Sequence, residues 1–335
     1  MTTRPSVLVT RAVFDDVLER LRAHFNVEAN DRDEVYPRAE LIARLAGKDG
    51  ALTTGSERID DEVLAASPRL RVVSNIAVGY NNFDMAAFDR RGVLGTNTPD
   101  VLTETTADFG FALMMAAARR MTESEHFLRR GEWSKWSLTM FAGTDVHGAT
   151  LGILGMGRIG QAIARRGALG FGMPVIYHNR SRLDPSIETA LNARYVSKTE
   201  LLQQADHLVL VVPYSPASHH AIGAAELGLM KPTATLTNIA RGGVVDDAAL
   251  ARALAAGQLA AAGLDVFEGE PSVNPALLGL PNVVLTPHIA SATLATRRAM
   301  AHLAADNLIA GLGCGPHAGQ PPTPINPMVL SPRAD

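Results

Sequence analysis

The chain has 335 residues, 47% of them hydrophobic and 19% charged, with 31 Lys and Arg against 34 Asp and Glu. At about 150 residues per domain this length points to two domains, and a formal net charge of −3 without a basic stripe argues against wrapping nucleic acid or coating an anionic membrane. A single cysteine, Cys314, excludes an intramolecular disulfide and a multi-cysteine zinc site.

The first residues, MTTRPSVLVTRAVFDD, carry acid early and no long apolar run, so no secretory signal is expected. The longest nearly unbroken apolar stretch, 109–118, is ten residues, and a spanning helix needs roughly twenty. The chain therefore reads as soluble and cytoplasmic.

Residues 5–10 (PSVLVT) predict a strand, and 15–24 a helix with Val17, Leu18 and Leu21 on one face. Residues 26–28, 50–53 and 70–75 read as further strands, separated by helical segments near 39–46 and 60–66. This alternation implies parallel strands with crossover helices and a sheet covered on both faces. Near Thr98-Pro99 the pattern changes. Residues 104–121 predict one long helix, opened by a Thr103-x-x-Thr106 stretch with acid in its first turn. Trp133 and Trp136 fall in a loop-like segment over 131–144. From Ala149 the alternation restarts, with strands at 150–154, 174–178, 207–212, 234–239, 260–264 and 283–285. A helix over 293–312 and an irregular Gly/Pro-rich tail follow. The fold class is α/β, with one α/β unit early in the chain and a second in the middle.

Residues 150–164, TLGILGMGRIGQAIA, contain Gly155-x-Gly157-x-x-Gly160 directly after a strand and at the opening of a helix. That context gives the motif its meaning. The bare pattern is weak, since 29 glycines produce near-matches by chance, and a turn that binds nothing is the bland alternative. The physical roles are nonetheless complete. Gly155 permits the tight turn, Gly157 lets backbone approach a pyrophosphate, and Gly160 lets helix and strand pack closely, while the helix N-terminus supplies unpaired N–H groups. Arg158 and Ile159 belong to the same loop. About twenty residues on, an NAD enzyme usually places Asp or Glu for the ribose hydroxyls. Here stand Asn179, Arg180, Ser181 and Arg182: no carboxylate to repel a 2′-phosphate, and two guanidiniums and a hydroxyl to bind it. NADPH is therefore the expected cofactor, with NADH as the second choice. Solvated surface arginines are the alternative. Val212 and Pro213, at the end of the 207–212 strand, are expected along the same cofactor edge.

Three polar residues follow predicted strands, where ligands bind in open α/β sheets. Arg241 follows TLTNIA, Glu270 follows AAAGLDV, and His288 follows VVL, with gaps of 29 and 18 residues, about one βα unit apiece. Neighbouring strand ends lie about 4.8 Å apart, so the three can converge. A guanidinium can bind a carboxylate and a C2 oxygen through its planar fork. A histidine can give that oxygen a proton as hydride arrives, and remove it in reverse. A nearby carboxylate favours imidazolium and fixes the ring tautomer. Singly, each residue has a dull explanation: a cap partner, a loop acid, a buried histidine. Together, after a dinucleotide loop, they read as a site for hydride exchange at a 2-hydroxy or 2-keto acid. His219 and His220, adjacent and so expected to diverge, read as surface loop and not as metal ligands. Ser215 and Ser291 lack the context of a hydrolase nucleophile, and Met114-Met115 reads as core filling.

These motifs resemble the D-isomer-specific 2-hydroxyacid dehydrogenase family. The stretches are 155–160, NIARGGVVDD at 238–247, LDVFEGEP at 264–271 and PHIAS at 287–291, with VGYNNFD at 78–84 and PDVLTETTAD at 99–108. Within it, 143–147, 171–174 and 192–195 are similar to the bacterial glyoxylate/hydroxypyruvate reductases that also reduce 2-ketogluconate. The resemblance implies two Rossmann-like domains: a flavodoxin-like substrate domain of 1–99 plus 291–335, and an inserted NAD(P)-binding Rossmann domain of 100–290, with the active site in the cleft between them. It implies that Arg241 binds substrate, Glu270 supports the histidine and His288 is the acid/base. It also implies that backbone N–H groups around Val78 and Gly79 bind the substrate carboxylate, that Asp265, Ile239 and Ala240 line the nicotinamide, and that Thr106 touches the cofactor. D-stereochemistry and a homodimer joined through the cofactor domain come from the resemblance alone. It gives Trp133 and Trp136 an interface role, with an intramolecular core role as the alternative. Asn81, Met140-Phe141 and Ala290 depart from the usual pattern. Two other readings stay open: a related enzyme acting on phosphoglycerate or phosphite, and a dinucleotide-sensing binding protein.

Overall fold

The computed structural model describes residues 4–330, which fall into two compact units, 4–102 with 293–330 and Thr103–Ala292. The first unit runs β1 (Ser6–Val9), α1 (Asp15–His24), β2 (Asn26–Ala29), α2 (Arg38–Leu45), β3 (Gly50–Thr53), α3 (Asp61–Ala66), β4 (Val72–Asn75), α4 (Met85–Arg91) and β5 (Leu94–Thr96). The second runs α5 (Thr103–Ala118), α6 (Met121–Arg129), β6 (Leu151–Leu154), α7 (Arg158–Arg165), β7 (Val175–His178), α8 (Pro185–Ala190), β8 (Ala193–Tyr195), α9 (Lys198–Gln204), β9 (His207–Leu210), α10 (Ala224–Leu227), β10 (Thr235–Asn238), α11 (Asp247–Ala255), β11 (Ala261–Leu264), α12 (Pro275–Leu278) and β12 (Val283–Leu285). The chain then returns to the first unit with α13 (Leu294–Gly311).

Both sheets are wholly parallel. The first has the order β2-β1-β3-β4-β5, and the second β12-β11-β10-β9-β6-β7-β8. These are the flavodoxin-like and dinucleotide-fold doubly wound orders, and in the second the order reverses between β6 and β9. The molecule is thus an α/β protein of two Rossmann-like units. Alternate side chains of β1 serve opposite faces. Val7 and Val9 pack with Ala301, Ala304 and Leu308 of α13, while Leu8 packs with Leu41, Val63 and Phe88 of α2, α3 and α4. The second sheet is covered by Ala107, Met114 and Ile163 on one face and by Leu201, Leu250 and Leu254 on the other.

The long helix expected over 104–121 breaks after Ala118. Arg120 takes a left-handed φ of 51°, and the Ala118 carbonyl accepts from the Thr144 N–H at 3.0 Å. A segment some twenty-five residues downstream thus ends the helix, and local propensity carries no sign of it. Three elements were too short for their periodicity to register. β5 is three residues with a central glycine, β8 is also three residues, and α4 is announced only by its cap, where Asp84 accepts from the Ala87 N–H at 3.1 Å. The tail is less irregular than expected: Thr96 forms an antiparallel bridge with Pro324, and Asn326 accepts from the Gly95 N–H at 2.9 Å and donates to the Val93 carbonyl at 3.0 Å.

Candidate active site

Gly155, Gly157 and Gly160 open α7 at the point where the strand order of the second sheet reverses. Gly155 has φ +102°, and a Cβ there would stand 2.8 Å from the backbone of Val211 and Val212, while a Cβ on Gly160 would stand 2.3 Å from the Gly155 carbonyl oxygen. A Cβ on Gly157 would meet nothing within 4 Å. Gly155 and Gly160 are thus required by the fold itself, and Gly157 borders open space at a helix N-terminus that no side chain caps. A helix N-terminus opening on such a space fits a pyrophosphate. The Thr106 hydroxyl, in the first turn of α5, is buried and has no hydrogen-bond partner, a second feature that fits a bound polar ligand.

At the end of β7 the Met156 N–H donates to Asn179 Oδ1 at 2.6 Å, and the Tyr195 hydroxyl donates to the Asn179 carbonyl at 3.1 Å. Asn179 therefore ties the glycine loop to the second strand, while Arg180 and Ser181 are exposed. Arg182 is corrected. Its guanidinium is held by Glu188 at 2.9 and 2.7 Å, and the Tyr177 hydroxyl holds the same carboxylate at 2.7 Å. Its charge and two of its five N–H donors are thereby engaged, so the two arginines of this stretch are not equivalent. Val212 and Pro213 follow β9, and Ile239 and Ala240 follow β10, at adjacent strand ends.

Beyond β10, β11 and β12, three neighbours in the sheet, lie Arg241, Glu270 and His288. His288 Nδ1 and Glu270 Oε2 are 2.8 Å apart, and the Phe267 N–H donates to Glu270 Oε1 at 2.8 Å. Burial alone would push the Glu270 carboxyl up. The hydrogen bonds from His288 and Phe267, with the charges of His288 and Arg241, outweigh it and hold the group below the usual carboxylate range. Glu270 is therefore an anion that accepts from Nδ1–H. Arg241 reaches back to the Ala240 carbonyl at 2.8 Å. Burial lowers its pKa and the charge of Glu270 opposes that shift; a guanidinium stays cationic. A Cβ on Gly242 would fall 1.7 Å from the Phe267 carbonyl oxygen, so that glycine lets the Arg241 turn lie against the loop that carries Glu270.

Asp265 has a role that sequence reasoning missed. Almost wholly buried, its carboxylate accepts from the Thr286 hydroxyl at 2.7 Å and from the Ile289 and Ala290 N–H groups at 2.8 Å each, while its carbonyl accepts from the His288 N–H at 2.9 Å. The 286–290 loop wraps around this one residue and so holds His288 in the left-handed region, φ 54°. An Asp one residue past a strand was the only signal.

The expectation that His219 and His220 diverge is also corrected. His220 has φ 48°, and the two rings stack at 3.9 Å between centroids and 22° between planes. Divergence applies to regular strand or helix, and a left-handed residue removes it. Donor atoms of His219, His220 and Glu268 fall within 4.8 Å of one another, and His220 Nε2 lies 3.0 Å from Glu268 Oε2. Trp133 and Trp136 are 55% and 71% exposed, which removes the intramolecular core role. Val78 and Gly79 follow β4 in the other unit and are half-buried. No helix among the described residues is long and apolar enough to cross a membrane.

Residues 111–290 match the family model of the D-isomer specific 2-hydroxyacid dehydrogenase NAD binding domain. The chain is 49% identical to glyoxylate reductase of Thermococcus gammatolerans over 331 residues, 98% of this chain and 97% of that one. It is 47% identical to glyoxylate reductase of Pyrococcus furiosus over 335 residues, 98% of each. Among solved structures it is similar to the NADPH-dependent glyoxylate/hydroxypyruvate reductase of Sinorhizobium meliloti in complex with NADP and malonate, with a TM-score of 0.87 at 36% identity over 99% of this chain and 100% of that one. Fold and relatives together define an NAD(P)-dependent oxidoreductase. The chain belongs to the D-isomer-specific 2-hydroxyacid dehydrogenase family.

Proposed function

We propose that the protein reduces glyoxylate and related small 2-keto acids, hydroxypyruvate and 2-ketogluconate among them, to D-2-hydroxy acids with NADPH in preference to NADH. The observation that carries this is the Glu270–His288 pair beside Arg241, at three neighbouring strand ends of a sheet whose switch point carries an open glycine loop. Relatives that are glyoxylate reductases support the substrate class. The bound cofactor supplies the hydride that C2 receives. Arg241 holds the substrate carboxylate and C2 oxygen through its fork. Because Glu270 accepts from Nδ1–H, the proton given to the C2 oxygen is the one on Nε2. Oxidation runs the same transfers in reverse, with neutral His288 as the base.

Residues 100–290 form the dinucleotide domain in this reading, and 1–99 with 291–335 the substrate domain, where the N–H groups of Val78 and Gly79 take the carboxylate. Thr106, Arg158, Ile159, Val212, Pro213, Ile239, Ala240 and Asp265 line the cofactor, and Asn179, Arg180 and Ser181 its 2′-phosphate end. A phosphorylated substrate is disfavoured because the first hundred residues show no obvious cluster of Arg or Lys beyond Arg69 and Arg71, and Arg69 pairs with Asp49 at 3.0 Å. A second copy of the chain covers the exposed Trp133, Trp136 and Leu138.

The test is a spectrophotometric panel of NADPH and NADH against glyoxylate, hydroxypyruvate, 2-ketogluconate and 3-phosphoglycerate. Turnover with the three keto acids and NADPH is expected. Activity confined to the phosphorylated compound contradicts the substrate reading, and dinucleotide binding without any turnover contradicts the enzymatic one.

A further inference from the structure

In the first unit three consecutive peptide carbonyls after β4 are each held from one side. The Ala77 carbonyl accepts from the Thr98 N–H at 2.9 Å. The Val78 carbonyl accepts from Asn97 Nδ2 at 2.8 Å, and the Gly79 carbonyl from Asn75 Nδ2 at 3.2 Å. In a trans peptide the C=O and N–H point in opposite directions. Fixing these carbonyls therefore turns the N–H groups of Val78, Gly79 and Tyr80 away from their anchors. Among the described residues none of the three donates a hydrogen bond. Successive N–H groups turned outward form a concavity suited to an anion.

The two asparagines are themselves fixed. Asn75 is fully buried, its Nδ2 also reaches Asn82 Oδ1 at 3.2 Å, and its own Oδ1 has no partner. Asn82 in turn donates to the carbonyls of Thr54 and Glu57 at 3.1 and 2.9 Å. The Asn97 carbonyl accepts from the Thr323 hydroxyl at 2.6 Å and from Asn307 Nδ2 at 3.3 Å, and the Thr323 N–H returns to Asn307 Oδ1 at 2.8 Å. Residues of α13 and of the tail thus lock the residue that holds the Val78 carbonyl.

We propose that Asn75 and Asn97 are positioning residues that set the 77–80 peptides as a carboxylate cradle, with Thr323 and Asn307 bracing Asn97. This rests on the reading that these N–H groups bind the substrate carboxylate. Neither asparagine touches the substrate; each acts through the backbone it holds. Without the anchor the peptides regain freedom to rotate, and the cost falls on binding of the anion rather than on the hydride step.

The test compares glyoxylate with its uncharged methyl ester in the wild-type protein, Asn97→Leu and Asn75→Leu. Asn97 is half-buried, so Asn97→Leu keeps the test open should the fully buried Asn75→Leu fail to fold. Expected is a rise of about tenfold in KM for glyoxylate, with kcat changed by less than about threefold. The KM for the ester and the Kd for NADPH are expected to stay near the wild-type values. Folded variants with an unchanged KM for glyoxylate overturn the proposal, as does an equal loss with acid and ester, which marks a merely structural role. A wild-type protein that does not discriminate acid from ester overturns the carboxylate reading beneath it.

Discussion

At the scale of single residues, the chemistry was legible where a side chain has few other uses. Arg241, Glu270 and His288 stood out because a guanidinium, a carboxylate and an imidazole at successive strand ends suit hydride exchange at a keto acid. The structure brings Glu270 and His288 to 2.8 Å. Residues that act through backbone were not readable. Asp265, Asn75 and Asn97 are ordinary turn residues in sequence, and their roles rest on partners such as Ala290 and Val78 that only the folded chain brings near. Arg180 carries the sharpest expectation at this scale. With Arg182 charge-paired to Glu188, removing Arg180 takes away the one guanidinium of the 179–182 stretch that no carboxylate among the described residues pairs with. Arg180→Ala is expected to raise the Michaelis constant for NADPH by at least about tenfold, the scale of one charge-assisted contact, while that for NADH stays close to wild type. Equal shifts for both cofactors contradict the assignment.

Among the elements, strands and helices with several turns or a full buried run were legible, and those defined by distant partners were not. The α5 break at Arg120 depends on Thr144, and β5 on Asn326. β9 offers a pH test. His207, fully buried at its start, has Nδ1 2.8 Å from the Thr235 hydroxyl and Nε2 2.9 Å from the Asp145 carbonyl. This pattern suits a neutral ring that accepts from Thr235 and donates to Asp145. Burial lowers its pKa from the ordinary 6.5, against the opposing effects of the Asp145 hydrogen bond and the Asp206 charge. The unfolded chain therefore binds the proton more readily than the folded one. Stability from this group is full above about pH 6.5 and declines as the pH falls below it toward the folded value. Urea unfolding from pH 7.5 down to 5.5 should show the wild type losing stability more steeply than His207→Gln. Parallel pH profiles contradict the neutral assignment.

For the whole molecule, alternating strands and helices announced two α/β units, and composition excluded most other classes. The strand orders and the return of α13 to the first sheet were expected from the resemblance and not from local pattern, because crossover connections leave no local trace. The exposed segment with Trp133, Trp136 and Leu138 is more apolar than a solitary surface needs. Trp136→Glu, placing a charge in that face, is expected to shift the protein from dimer to monomer in sedimentation at micromolar concentration. A wild-type monomer, or an unshifted dimer, contradicts coverage by a second copy. The most direct measurement of all is NADPH oxidation by glyoxylate in the wild type and His288→Ala across pH, with NADPH binding measured in parallel. The expected result is a wild-type reductive rate that falls as the pH rises, since reduction consumes a proton, and a variant about a hundredfold slower or more that still binds NADPH. A variant that turns over at the wild-type rate contradicts the acid/base role of His288.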